Sequence, residues 1–238
     1  LGWLDVQKTI DLDRLKALRN DITGAGFKHV VLLGMGGSSL APEVMARAFG
    51  QQPGFPALLV LDNTHPTQVQ YIDETIDINR TLFVVASKSG STIETHTFFK
   101  YFYERAERNG AQFIAITDPG SSLQKLAEEQ NFRDVFLNPA DIGGRYSALS
   151  YFGMVPAALM GLDLDRLWGS AMGLVQVRPI GMVEGEGVPE IVARLDAAVA
   201  AGDYERAIAE FETLPQAAKT AGEAFIARLR ARHAADRL

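Results

Sequence analysis

Five short runs of large apolar and β-branched residues punctuate the first part of the chain, at residues 29–33, 57–61, 82–86, 113–117 and 135–137. Each is nearly continuous rather than alternating, the pattern of a strand covered on both faces. Between them lie stretches with helical spacing that can carry the chain back across a sheet. Residues 40–49 have Pro42 in the first turn, residues 92–109 are followed by Gly110, and residues 121–130 begin with a serine able to cap. Parallel neighbours need such crossovers. The alternation predicts an α/β fold, a doubly wound five-stranded parallel sheet with its functional loops at the carboxyl ends of the strands.

Around residue 173 the pattern stops. Residues 173–189 hold four glycines and two prolines with no clear period, and from there the chain is rich in alanine and charge. The expected organisation is one α/β domain over 1–172, a linker over 173–189 and a small all-helical segment over 190–238. Two or three short amphipathic helices are expected in that segment, broken at Gly202 and Asp203 and again at Pro215. No repeats occur in the α/β part.

The formal charge of −6 gives no general attraction to nucleic acid or to an anionic membrane. Any phosphate site must therefore be local, built from backbone N–H groups, hydroxyls and one or two cations. There are no cysteines, and the four histidines, His29, His65, His96 and His233, lack ligand spacing, so neither a metal nor a cofactor is expected. No apolar run approaches the roughly 20 residues of a bilayer span and no signal-peptide pattern opens the chain, so a cytoplasmic location is expected. The chain begins at Leu1, which reads as a piece of a longer reading frame or a trimmed chain.

Three loops at strand ends could carry chemistry. The first, Gly34-Met35-Gly36-Gly37-Ser38-Ser39, has two of the three glycines of the dinucleotide fingerprint, with Ser39 in place of the third. Asp62 could serve as the acidic ribose partner, so a dinucleotide site is a rival reading here. The nucleotide P-loop G-x-x-x-x-G-K-[ST] occurs nowhere. The second loop, Ser87-Lys88-Ser89-Gly90-Ser91-Thr92, runs straight into a helix start. Its hydroxyls, its glycine and the free N–H groups of that helix would converge on one small anion, each hydroxyl rotating to donate to a terminal oxygen. Lys88 either adds charge or sits on a solvated rim. A capped turn explains one or two of these serines but not six small or polar residues together. The third feature, residues 138–147, pairs Gly143 and Gly144 before Arg145, Tyr146 and Ser147. A cation at a helix start opposes the dipole, which points to a ligand or a carboxylate nearby, Asp141 being the structural alternative.

Together G-M-G-G-S-S-L, S-K-S-G-S-T-I-E-T and G-G-R-Y-S resemble the glucose-6-phosphate isomerase family, specifically its first sugar-isomerase (SIS) domain. The details are most similar to the bacterial branch in which the isomerase is fused behind a transaldolase. The resemblance covers residues 1–172 and implies a hexose phosphate ligand. It implies that the hydroxyls of Ser87, Ser89 and Thr92, with the backbone of Lys88, hold the phosphate. It implies that Gly37 and Ser38 line the sugar crevice. It implies that Arg145, with Gly144 before it, sits near the C1–C2 end and stabilises the enediolate as the C2 proton leaves. Gly90 and Ile93 differ from some branches, which by the resemblance leaves the phosphate site intact and bears only on its walls. The family's glutamate base, histidine and late lysine belong to a second SIS domain and the C-terminal region, and their motifs are not in this sequence. Glu94 fits an ordinary helix start, where an acid suits the dipole, and His96 a packed or surface position.

Residues 174–238 resemble the C-terminus of bacterial mitofilin-type membrane-organising proteins, without that family's anchor or coiled coil. The leading expectation is thus a phosphosugar-binding isomerase domain, incomplete as a lone chain and completed by a homodimer or a second isomerase domain. The alternatives are a non-catalytic SIS sensing module and a helical interaction protein acting through its C-terminal segment.

Overall fold

The computed structural model describes residues 2–174 and 183–235. The chain divides into two compact units, Leu1–Val175 and Gln176–Leu238.

In the first unit five strands, β1 (His29–Gly34), β2 (Ala57–Leu61), β3 (Thr81–Ala86), β4 (Phe113–Thr117) and β5 (Asp134–Leu137), form one sheet in the order β2-β1-β3-β4-β5. All four pairings are parallel. The crossovers are α2 (Leu40–Phe49), α3 (Pro66–Thr75), α4 (Ile93–Arg105) and α5 (Ser122–Glu129), preceded by α1 (Leu12–Gly24) and followed by α6 (Tyr151–Leu159) and α7 (Leu164–Leu174).

Continuous apolar strands are explained by two cores, one on each face. Val30, Leu32, Leu82, Val84, Ile114 and Ile116 pack with residues of α1 and α6. The residues between them, Val31, Leu33, Phe83, Val85, Phe113 and Ala115, pack with residues of α4 and α5. This is the period of two expected of strand side chains. On the second face Phe83 stacks on Phe102 and on Phe113, each at 5.0 Å between centroids. Each such buried ring contributes about 1.5–3 kcal/mol from burial.

Capping follows local chemistry. Asp11 accepts from the Arg14 N–H at 2.9 Å to open α1, and Ser121 accepts from the Gln124 N–H at 3.1 Å to open α5. The helix expected to run to Gly110 stops at Arg105 instead. Glu107 and Arg108 take left-handed φ values of 52° and 60°, and the Arg108 N–H bonds back to the Tyr103 carbonyl at 2.8 Å. The turn therefore forms before the glycine, which opens a separate 3-10 turn at Gly110–Gln112.

His29 opens β1 with its buried Nδ1 unpartnered among the described residues. Burial pushes its imidazole below the ordinary value, opposed by Asp77 and reinforced by Lys28. The unfolded chain thus binds this proton more readily, so stability present above the unfolded-state value is lost as pH falls below it. Acidifying from about pH 7 to about pH 5 should lower the urea midpoint, and His29→Gln should flatten that slope. An unchanged slope in the variant would show that the folded state holds the proton after all.

The only regular elements among the described residues of the second unit are helices: α8 (Val188–Ala200), α9 (Tyr204–Glu212), α10 (Gln216–Ala221) and α11 (Glu223–Ala235). The expected breaks stand, with Asp203 capping α9 through the Arg206 N–H and Pro215 preceding α10. One further break, at Gly222, makes four helices where two or three were expected. Of the linker expected over 173–189, Gly173 and Leu174 belong to α7 while Val188 and Pro189 open α8. Residues 175–182 lie outside the described residues. The unit has its own core, in which Ile191 and Leu195 meet Phe211, Leu214, Ile226 and Leu229. No described helix is long and apolar enough to cross a membrane.

Candidate functional site

The strand order places the site. β1 and β3 are neighbours although the chain visits β2 between them, so the connections leaving their carboxyl ends diverge and open a crevice. The pairing of β1 with β3 ends at Gly34 opposite Ala86. The glycine-rich loop and the serine-rich loop therefore start side by side.

After β3, Ser87 is buried and its N–H donates to the Ile116 carbonyl at 3.0 Å, which fixes the loop's root to β4. Its hydroxyl lies 2.9 Å from that of Thr92. Thr92 occupies the N-cap of α4 but makes no capping bond, so its side chain leaves the first N–H groups of the helix free of a cap. Ser89 Oγ accepts from the N–H and the hydroxyl of Ser91 at 3.3 and 3.1 Å. Gly90 takes φ 68°, and its carbonyl lies 2.7 Å from His96 Nε2 and also accepts from the Ser122 hydroxyl. His96 thus braces the outside of this loop, and Thr95, one residue before it, has a buried hydroxyl with no partner among the described residues.

After β1 the chain makes a 3-10 turn, Gly36–Ser38, before α2 begins. The third loop folds back onto this turn. A Cβ on Gly37 would lie 2.5 Å from the Gly144 carbonyl oxygen and 2.8 Å from its Cα, so only glycine permits the approach. Ser147 stitches the two segments together, its hydroxyl donating to the carbonyls of Gly37 at 3.0 Å and Gly144 at 2.7 Å. Ser38 is buried beneath. Gly37, Ser38 and Gly144 are thereby brought to one place.

Arg145 lies in the 3-10 turn Gly144–Leu149, exposed. No described residue pairs with it, Asp141 included. Beside it Tyr146 is also exposed and stacks on Trp3 at 5.3 Å with an interplanar angle of 13°. Lys88, in contrast, is engaged: its ammonium bonds the Asp118 carboxylate and the Ala140 carbonyl, the latter at 2.8 Å. Asp118 and Asn138 stand directly past the ends of β4 and β5, each with a buried oxygen, Oδ1, that has no partner among the described residues. Asp118 is not among the candidates read from the sequence, and Asn138 and Ser147 stand there in the third loop without a role of their own. A polar residue directly after β2, β3, β4 and β5, though not after β1, was the available signal for Asp118 and Asn138.

A cavity of about 710 Å³ lies elsewhere, by the amino ends of the strands, lined among others by Lys16, Arg19, Phe55, Gly161 and Asp165. Lys16 there is tied to Asp165 at 2.9 Å, and none of the three loops reaches it. Among the described residues no cluster of His, Cys, Asp or Glu could hold a metal ion.

A family model described as phosphoglucose isomerase matches residues 13–169. The curated glucose-6-phosphate isomerase of Citrifermentans bemidjiense is 36% identical over 154 residues, covering 62% of this chain and 29% of that protein. The one from Methanocaldococcus jannaschii is 30% identical over 170 residues, covering 70% of this chain and 40% of that protein. Among solved structures, a glucose-6-phosphate isomerase from Chlamydia trachomatis aligns with a TM-score of 0.61 at 27% identity, over 81% of this chain and 37% of that one. A hypothetical protein from Thermus thermophilus aligns with a TM-score of 0.67 at 32% identity, over 73% and 42%. The chain thus spans well under half the length of the relatives it matches.

Proposed function

The chain belongs to the phosphoglucose isomerase family through residues 13–169, and on that premise we propose that its first unit binds a hexose 6-phosphate in the crevice between β1 and β3. The phosphate would lie on the Ser87, Ser89 and Thr92 hydroxyls and the backbone N–H of Lys88, at the uncapped start of α4. The sugar would extend over Gly37, Ser38 and Gly144 toward Arg145. There the guanidinium would meet the negative charge that develops on oxygen when the C2 proton leaves, the step common to aldose and ketose interconversion. The observation that carries this reading is the convergence of three loops at one strand-order reversal, with Arg145 at its edge and without a partner among the described residues.

A base must still move the proton between C2 and C1. Glu94 and His96 lie on α4 behind the phosphate loop, and His96 is taken up by the Gly90 carbonyl. Binding is therefore the activity proposed for the chain by itself. Turnover would need a complementary segment, a second isomerase domain or a second copy of this chain.

Calorimetry with glucose 6-phosphate and fructose 6-phosphate should give saturable heat at millimolar concentration, while glucose and NAD should give none. Ser87→Ala and Thr92→Val should each weaken binding about tenfold, the effect of losing one hydrogen bond to a charged group. No heat with either hexose phosphate would overturn the assignment. Isomerase activity on mixing with the complementary half of a family member would identify the missing base. Ligand-dependent association without turnover in any such mixture would favour a sensing role.

A further inference from the structure

The Lys88 side chain does something other than meet a phosphate. Its ammonium reaches away from the serine-rich loop to two other strand ends, the Asp118 carboxylate after β4 and the Ala140 carbonyl in the loop after β5. Asp118 returns the connection through the backbone, since its N–H donates to the Lys88 carbonyl at 3.1 Å. The loop holding Ala140 continues through Ile142, whose side chain is buried, to Gly144 and Arg145. The positive charge is spent on a carboxylate whose other oxygen is buried and has no partner among the described residues. Taking the ammonium away would leave that carboxylate uncompensated, so the pair cannot exchange partners cheaply. With two of its three N–H donors engaged on separate strand ends, this lysine is well placed to hold two loops at a set separation.

We propose that Lys88 is a positioning residue, a strut that sets the distance between the phosphate-binding loop and the loop carrying Arg145. The strut rests on the binding proposal above only for its consequence, the span offered to a ligand with a phosphate at one end and a reacting carbon at the other. Its existence is independent of any ligand. A ligand that uses one loop alone is insensitive to the separation, whereas one that bridges both is not.

The test uses the full chain with Lys88→Met, Asp118→Asn and the double variant. Without ligand, amide exchange at Ile142 and Tyr146, which bond to the Pro139 and Gly143 carbonyls, is expected to quicken about tenfold in Lys88→Met. The double variant should exchange no faster than Lys88→Met alone, because one interaction is lost in both. With ligand, Lys88→Met should weaken glucose 6-phosphate about tenfold and inorganic phosphate less than about twofold, and Lys88→Arg should recover most of the loss. Equal losses for the two ligands would mean that the ammonium contacts phosphate directly, and unchanged exchange at Ile142 and Tyr146 in Lys88→Met would mean that the ammonium does not tie the two loops. Either result overturns the strut. If the wild-type chain binds neither ligand, the binding proposal fails and the exchange cycle still decides the strut.

Discussion

Gly37→Ala is expected to cost about 3 kcal/mol of stability and to abolish hexose phosphate binding, the larger of the two effects being on the ligand. The added methyl would lie 2.5 Å from the Gly144 carbonyl oxygen, which is backbone and has no rotamer to change. Either the 3-10 turn Gly36–Ser38 or the turn Gly144–Leu149 must move away, and the Ser147 hydrogen bond to the Gly37 carbonyl stretches with it. Arg145 would then shift relative to the serine-rich loop. A displacement of about 1 Å at a reacting group can cost on the order of a hundredfold. Urea titration measures the first effect and calorimetry the second. Because Gly37 lies above the strand ends and not between the sheet and its helices, the sheet should survive, with far-ultraviolet dichroism unchanged. Unimpaired binding would show that the two turns need not touch for the site to form.

The second large effect is expected in the helical unit. Arg194 on α8 lies within 2.9 Å of both carboxylate oxygens of Glu210 on α9 and also donates to the carbonyls of Val183 and Gly185, at 3.0 and 2.7 Å. Both side chains are largely buried, 17% and 16% exposed. Arg194→Met would leave a buried carboxylate without compensation, a loss of about 3–5 kcal/mol. A unit whose core rests on so few large side chains has little stability to spare. Amides of α8 and α9 should lose protection from exchange, while those of β1, β3 and β4 keep theirs. Arg194→Met combined with Glu210→Met should restore much of it, since two apolar groups can replace a buried pair. If the double variant is as unstable as the single one, the bonds to Val183 and Gly185 matter more than the charge pair.

Much of the first unit was legible in the sequence because its signals are local. A strand buried on both faces must be apolar at every position, so the runs around Val31, Val84 and Ile114 announced themselves. The loop from Ser87 to Thr92 was legible for the same reason, since an accumulation of hydroxyls at a strand end is a composition signal. The end of α4 was not. The chain turned through Glu107 and Arg108 because a carbonyl partner at Tyr103 was within reach, a fact no propensity encodes. The break at Gly222 was missed in a segment where alanine makes every position look helical.

The sequence by itself determined the strands, three of the four crossover helices and the hydroxyl-rich loop after β3, because each depends on neighbours a few residues away. Only the tertiary structure decided what the strand ends do together. The order β2-β1-β3-β4-β5 set the glycine-rich and serine-rich loops side by side. Ser147 and Gly37, 110 residues apart, became hydrogen-bond partners. Lys88, open from the sequence to phosphate or solvent, turned to Asp118 and Ala140. A long flexible cation takes the nearest carboxylate left in a low-dielectric setting, and which carboxylate is nearest is a property of packing, not of spacing along the chain.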